Sequence, residues 1–243
     1  MTTYTGVADA NGDFTVTFGG AEYTAGQKVT VTAEKSGAVK NIELFAPSET
    51  ISPTAILIIE GDPLDFPKNI TNVTLKATGS LQTNCLGQSV NGISSKLKEL
   101  FIEDGVTHLL GSSLADCGLM TRLTLPNTLI RIENSNAVSN CAKLLEINIP
   151  TSVQYIGTNA FTGAVACLKV DIGASITTIG TSAFHNLTSC NEFICRAVAP
   201  PSLALGALQN LKATCVIRVP ASSLDTYKTA TNWSAYASRI VAI

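Results

Sequence analysis

Charge is scarce in this chain. Only 14% of its 243 residues are Asp, Glu, Lys or Arg, and the formal net charge is −2. A nucleic-acid binder or a polybasic membrane-surface protein carries a basic footprint, and none is encoded. Aromatics are few, at 6% with a single Trp, which removes the stacking platforms used on single-stranded nucleic acid. Purely apolar runs reach five residues, as in AILII at 55–59, against the ~20 needed to span a bilayer. No nucleic-acid partner and no membrane insertion are expected. The opening MTTYTGVADANGDF has no basic stretch followed by an apolar one, so no secretory signal is read there and a reducing compartment is expected.

Catalytic signatures are missing too. Gly-x-Ser-x-Gly, His-Glu-x-x-His, the P-loop and Gly-x-Gly-x-x-Gly do not occur, and His108 and His185 sit in no motif. Pairing Asp171 with a glutamate for glycoside hydrolysis needs a cleft, and an open repeat face is not expected to supply one. DANGD at 9–13 offers oxygens at Asp9, Asn11 and Asp13, but Phe14 and Gly20 stand where an EF-hand needs glycine and glutamate. A turn between strands is the better reading. The expectation is a protein that is not an enzyme and holds no cofactor and no metal.

Cysteine is not scarce. Seven occur, at 85, 117, 141, 167, 190, 195 and 215, without one Cys-x2-Cys. Cys117 to Cys141 spans 24 residues and Cys167 to Cys190 spans 23. That spacing is a period, and buried free thiols are expected in place of a disulfide or metal framework.

The same period is written elsewhere. YIGTNAF at 155–161 returns as TIGTSAF at 178–184, 23 positions on. Aligned on that pair, the chain shows four units and a degenerate fifth, starting at 97, 120, 144, 167 and 190. One column reads Leu100, Leu123, Ile147, Val170, Phe193, and a second reads Ile102, Leu125, Ile149, Ile172, Cys195. Two more read Val106, Leu129, Val153, Ile176 and Leu109, Ile132, Ile156, Ile179. A weaker fifth holds Leu114, Phe161 and Phe184, with the second unit out of register. Period-two alternation in ELFIE and LEINI predicts a short strand with one buried face, closed by Pro126, Pro150 or Gly173. One such unit cannot bury its stripe alone. Stacked units with parallel strands can, so a right-handed solenoid is predicted.

The pattern IPTSVQYIGTNAF resembles the leucine-rich repeats of the BspA-like family of bacterial surface proteins. The resemblance covers residues 97–243, and VIRVPASSLDTYKTATNWSAYASRIVAI is similar to the family's C-terminal cap. It implies a non-enzymatic binding or adhesion role. Outward positions on the strands read Glu99, Arg122, Glu146, Lys169, Glu192, a ladder of alternating sign that sets register or presents a recognition face. With Phe101, Asp171 and Ile194, which also point outward by alternation, these are the candidate binding residues; the alternative for apolar Phe101 and Ile194, at opposite ends of the sheet, is cover by the flanking segments.

Residues 1–46 follow another grammar. DFTVTF, KVTVTAE and KNIELFA alternate between Gly-containing turns, which reads as an antiparallel meander. ADANGDF…AGQKVTVTAEKSGA resembles the second half of bacterial and phage immunoglobulin-like domains. The expected fold is mostly β: a small, partly immunoglobulin-like segment over 1–46, a linker and irregular N-terminal cap over 47–96, leucine-rich repeats over 97–214, and a C-terminal cap over 215–243. So small a sheet leaves an open edge, and its cover comes either from the side of the repeat domain or, the favoured expectation, from other chains: copies of itself in a homo-oligomer or virion structural proteins. The implied carrier is a phage or prophage virion, with the bacterial cell surface as the alternative, and the implied partner is a protein or surface glycan.

Overall fold

The computed structural model describes residues 28–35, 38–45, 56–60, 72–81, 86, 96–133 and 135–243. Strands β1 (Lys28–Lys35) and β2 (Ala38–Phe45) form an antiparallel hairpin. These are the strands expected from KVTVTAE and KNIELFA, and the third expected strand of the partly immunoglobulin-like segment, DFTVTF, lies outside the described residues. Strand β3 (Ile56–Glu60) runs antiparallel to β4 (Asn72–Lys76). From β4 onward the chain winds as a solenoid, and β4 pairs in parallel with β6 (Glu99–Ile102), Leu75 opposite Ile102.

Every coil lays down two strands. The longer ones are β4, β6, β8 (Arg122–Thr124), β10 (Glu146–Ile149), β12 (Lys169–Ile172), β14 (Glu192–Cys195) and β16 (Val216–Val219). The shorter ones are β5 (Gly79–Leu81), β7 (Val106–Leu109), β9 (Arg131–Ile132), β11 (Tyr155–Ile156), β13 (Thr178–Ile179) and β15 (Ser202–Leu203), stacked in a six-stranded sheet of their own. Inward residues of both sheets interdigitate. The four predicted columns are buried throughout, with Leu100, Val170, Ile132 and Ile156 at most 1% exposed. Alternation therefore translates directly into burial: Glu146-Ile147-Asn148-Ile149 is exposed, buried, exposed, buried.

The third side of each coil is a tight turn containing two left-handed residues. Ser112, Asn136, Asn159, Ser182 and Gly206 open the turns, and Asp116, Asn140, Gly163, Asn186 and Asn210 close them, all at positive φ. Asparagine, aspartate, serine and glycine hold that conformation at the least steric cost. Between each pair sit a buried alanine and one larger inward hydrophobe. Here the sequence expectation needs correcting. The second unit is not out of register, because the Val138 N–H donates to Ala160 O just as the Phe161 N–H donates to Ala183 O. The column is Leu114, Val138, Phe161, Phe184, Leu208, all buried. The coil from Arg122 to Glu146 has 24 residues against 23 from Glu99 to Arg122. The extra residue is taken up where Ser135 (φ 75°) and Asn136 (φ 68°) are left-handed in succession.

Close coil contact also dictates Gly173, whose added Cβ would lie 2.4 Å from Thr151 Cα and 2.6 Å from Pro150 O. At the C-terminal end, helix α1 (Leu224–Thr229) and strand β17 (Ile240–Ala242) close the stack, β17 pairing with β16. The Tyr227 hydroxyl donates to Ala197 O (2.8 Å) and the Trp233 indole to Pro201 O (2.9 Å), so both large rings are buried with their polar atoms satisfied. The six described cysteines are free and buried, and Cys85 lies outside the described residues.

Candidate functional site

The outward face of the longer strands carries the candidate residues. Phe101 is 46% exposed, Arg122 and Glu146 are exposed, and Glu99, Lys169, Asp171 and Glu192 are partly so. Ile194 is a correction: it is only 5% exposed, set in the ladder between Asp171 and Arg218, and cannot serve as a contact. Alternation placed its Cα correctly on the outward row, but a sheet face is not solvent wherever neighbouring side chains close over it.

Charges on the later coils neutralise each other. Lys169 Nζ lies 3.8 Å from Glu192 Oε2, and Arg218 Nε lies 2.6 Å from Glu192 Oε1. Arg196 grips Asp171 with two bonds of 2.7 Å each, which also raises the guanidinium pKa. Arg196 and Arg218 were not among the sequence candidates. Arg196 holds the turn position taken by Pro126, Pro150 and Gly173 in earlier coils, and that substitution was its available signal. On the earlier coils Glu99 faces Arg122 in the ladder, and no ion pair involves either among the described residues. A shallow depression of about 170 Å³ lies there, bordered by Asn72, Thr74, Glu99, Phe101 and Arg122.

The ladder of alternating sign is not continuous. Glu146 pairs with Lys169 and Lys169 with Glu192, but β8 and β10 belong to separate sheets. Later coils close on the preceding one through Gly173 N–H to Ile149 O and Arg196 N–H to Ile172 O, each 3.0 Å. Pro150 occupies the equivalent place at the β8–β10 junction and has no N–H to give. A second stitch is also missing. In the coil before, Thr128 Oγ1 accepts from Gly105 N and donates to Val106 O, both at 2.8 Å. Its counterpart Ser152 is buried at Oγ without a partner.

The result is a cleft of about 420 Å³. Its floor is Leu123, Leu125, Ile149 and Pro150, and its rim carries Thr124, Asn127, Asn148, Thr151 and the Asp171–Arg196 pair. Both ends are pinned at normal coil spacing, by Leu145 N–H to Thr121 O (3.2 Å) and Gln154 N–H to Ile130 O (2.8 Å). The open face expected from the repeat is thus interrupted at the β8–β10 junction. Among the described residues no group of three or more His, Cys, Asp and Glu is placed to hold a metal ion, and no helix is long and apolar enough to cross a membrane.

Comparison with known proteins gives a consistent result. The family model for the BspA type leucine rich repeat region matches residues 65–191 in six copies. Among solved structures, a leucine-rich repeat protein of T. pallidum superposes with a TM-score of 0.52 at 19% identity, over 62% of this chain and 78% of that one. At that identity the likeness is one of fold. No curated protein matches the sequence.

Proposed function

Because the chain belongs to the BspA-type leucine-rich repeat family, we propose that it is a non-enzymatic recognition protein whose longer-strand face binds a protein or a surface glycan. The observation that carries this reading is that exposed Phe101 and exposed Arg122 border the same depression on the early coils. Aromatic rings and arginines are the side chains that most often dominate binding energy at interfaces, and Arg122 is in no ion pair among the described residues. Later coils, with their charges spent on one another, offer a weaker field to a charged partner.

The carrier we favour is a phage or prophage particle, to which the N-terminal β segment attaches while the solenoid faces outward. Low overall charge and the antiparallel hairpin ahead of the repeats support it. The second reading, a bacterial cell-surface adhesin, is favoured by the family resemblance itself. In either setting we propose a homo-oligomer held through the N-terminal sheet, since an isolated two-stranded hairpin is marginal in water.

Flow cytometry of the labelled full chain on candidate host cells tests the recognition face. Saturable binding that is lost in the Phe101→Ala/Arg122→Ala double variant and kept in Lys169→Ala supports it. Equal binding by all three forms overturns it. The neighbourhood of the gene separates the two carriers: tail or capsid genes alongside favour the virion, and a signal sequence upstream of Met1 favours the cell surface.

A further inference from the structure

We propose that the cleft between β8 and β10 is a carbohydrate subsite that accepts one neutral monosaccharide ring, such as the terminal residue of a surface glycan. The proposal rests on the recognition reading above and narrows it to a ligand class and a place.

The pinned ends come first. With Leu145 bonded to Thr121 and Gln154 to Ile130, the two coils cannot part by the ~4.8 Å that an added strand requires. An extended peptide cannot enter by strand addition, so the occupant is compact. A volume of about 420 Å³ falls within the range of small-molecule sites and suits a single ring with its nearest waters.

Charge selects next. Asp171 and Arg196 are the ionic groups of the lining, and they cancel through two 2.7 Å bonds. A phosphate or carboxylate would meet the Asp171 carboxylate beside the only guanidinium, and a cation would meet the reverse. A neutral ligand meets no such penalty.

The remaining groups match a polyol. Asn127 and Asn148 carry side-chain amides that both donate and accept, and Thr124 and Thr151 carry hydroxyls. At the same junction Pro150 has no N–H to give to the Leu125 carbonyl, and the Ser152 hydroxyl is buried beneath the cleft without a partner. Vicinal hydroxyls, each a donor and an acceptor, complement such a rim. Beneath it, Leu123, Leu125 and Ile149 form an apolar floor for the C–H face of the ring. Among the described residues no other junction between successive longer strands combines a proline without N–H, an unpartnered hydroxyl and a broken ladder.

The test is a titration of the full-length, 15N-labelled protein with methyl glycosides of glucose, galactose, mannose and N-acetylglucosamine, and with sialic acid and inorganic phosphate as charged probes. At least one neutral glycoside should shift the amide signals of Leu125, Asn127, Asn148 and Thr151 saturably in the millimolar range, and the charged probes should not. Asn148→Ala should weaken that binding about ten-fold while leaving the rest of the spectrum in place, and Asp225→Ala, exposed on helix α1 of the C-terminal cap, should leave it unchanged. The proposal is overturned if no neutral glycoside shifts these signals, if phosphate or sialic acid shifts them equally, or if Asn148→Ala binds as the parent does. Cell binding through Phe101 and Arg122 alongside an inert cleft would reject the subsite and keep the recognition face. Sugar shifts without cell binding would do the opposite.

Discussion

The ring of Phe161 lies flat over that of Phe184, with centroids 5.5 Å apart and planes 3° from parallel, although the two residues stand one whole coil apart in the chain. Phe184 in turn meets Phe193 edge-on at 5.2 Å, so the repeated heptapeptide marks the place where successive coils stack. Replacing either Phe161 or Phe184 with alanine is expected to cost about 3–5 kcal/mol in chemical denaturation, with Phe184→Ala the larger because it loses both ring contacts. In a double-mutant cycle the pair should show a coupling of about 0.5–1.5 kcal/mol. A loss well under 1 kcal/mol for both would contradict their burial.

Two glycines make a paired prediction. Gly173→Ala drives its new methyl into the backbone of Thr151 and Pro150, whereas nothing lies within 4 Å of a Cβ placed at Gly118. The first substitution should lower stability by about 1–3 kcal/mol or more, and the second should be close to neutral. Urea midpoints measured side by side decide it, and equal midpoints would mean that the coils do not approach as closely as described.

Thiol chemistry gives a third prediction. Burial pushes the Cys167 thiol from an ordinary 9.0 up to about 12. The unfolded chain therefore releases this proton first. The stabilisation is complete below about pH 9 and is lost as pH rises toward about 12, so the denaturation midpoint should fall across that window. Thiol titration at neutral pH should find few reactive groups in the native protein and seven after unfolding. Fewer than seven would reveal disulfides.

The proposed homo-oligomer makes a fourth. Light scattering should give a multiple of the 25.4 kDa chain mass for the full protein and a monomer for a version beginning at Ser52. Two monomers would remove the oligomer from the proposal.

Much of this architecture was legible because a solenoid repeats its instructions. Leu100, Leu123, Ile147, Val170 and Phe193 announce one buried column by recurrence, and alternation around them assigns the faces. What recurrence could not show were departures from it. Ser135 and Asn136 absorb an extra residue through backbone angles, which leave only a faint trace in residue type. Pro126 and Pro150 look alike in the sequence, yet only the second stands at an open junction, because ladder closure depends on how two coils meet. For Ile194 the alternation reported direction and was silent about cover, and cover is what the structure shows.

The corner at Ser135 and Asn136 has one more consequence. It admits an additional residue while Ile132 before it and Val138 after it keep their places in the stack. Length is thereby uncoupled from phase: the one extra residue at this corner does not propagate to later coils, which remain in register. Variation in loop length is then invisible to folding and open to selection, and a longer segment spliced between Glu133 and Ala137 would hang from an undisturbed scaffold.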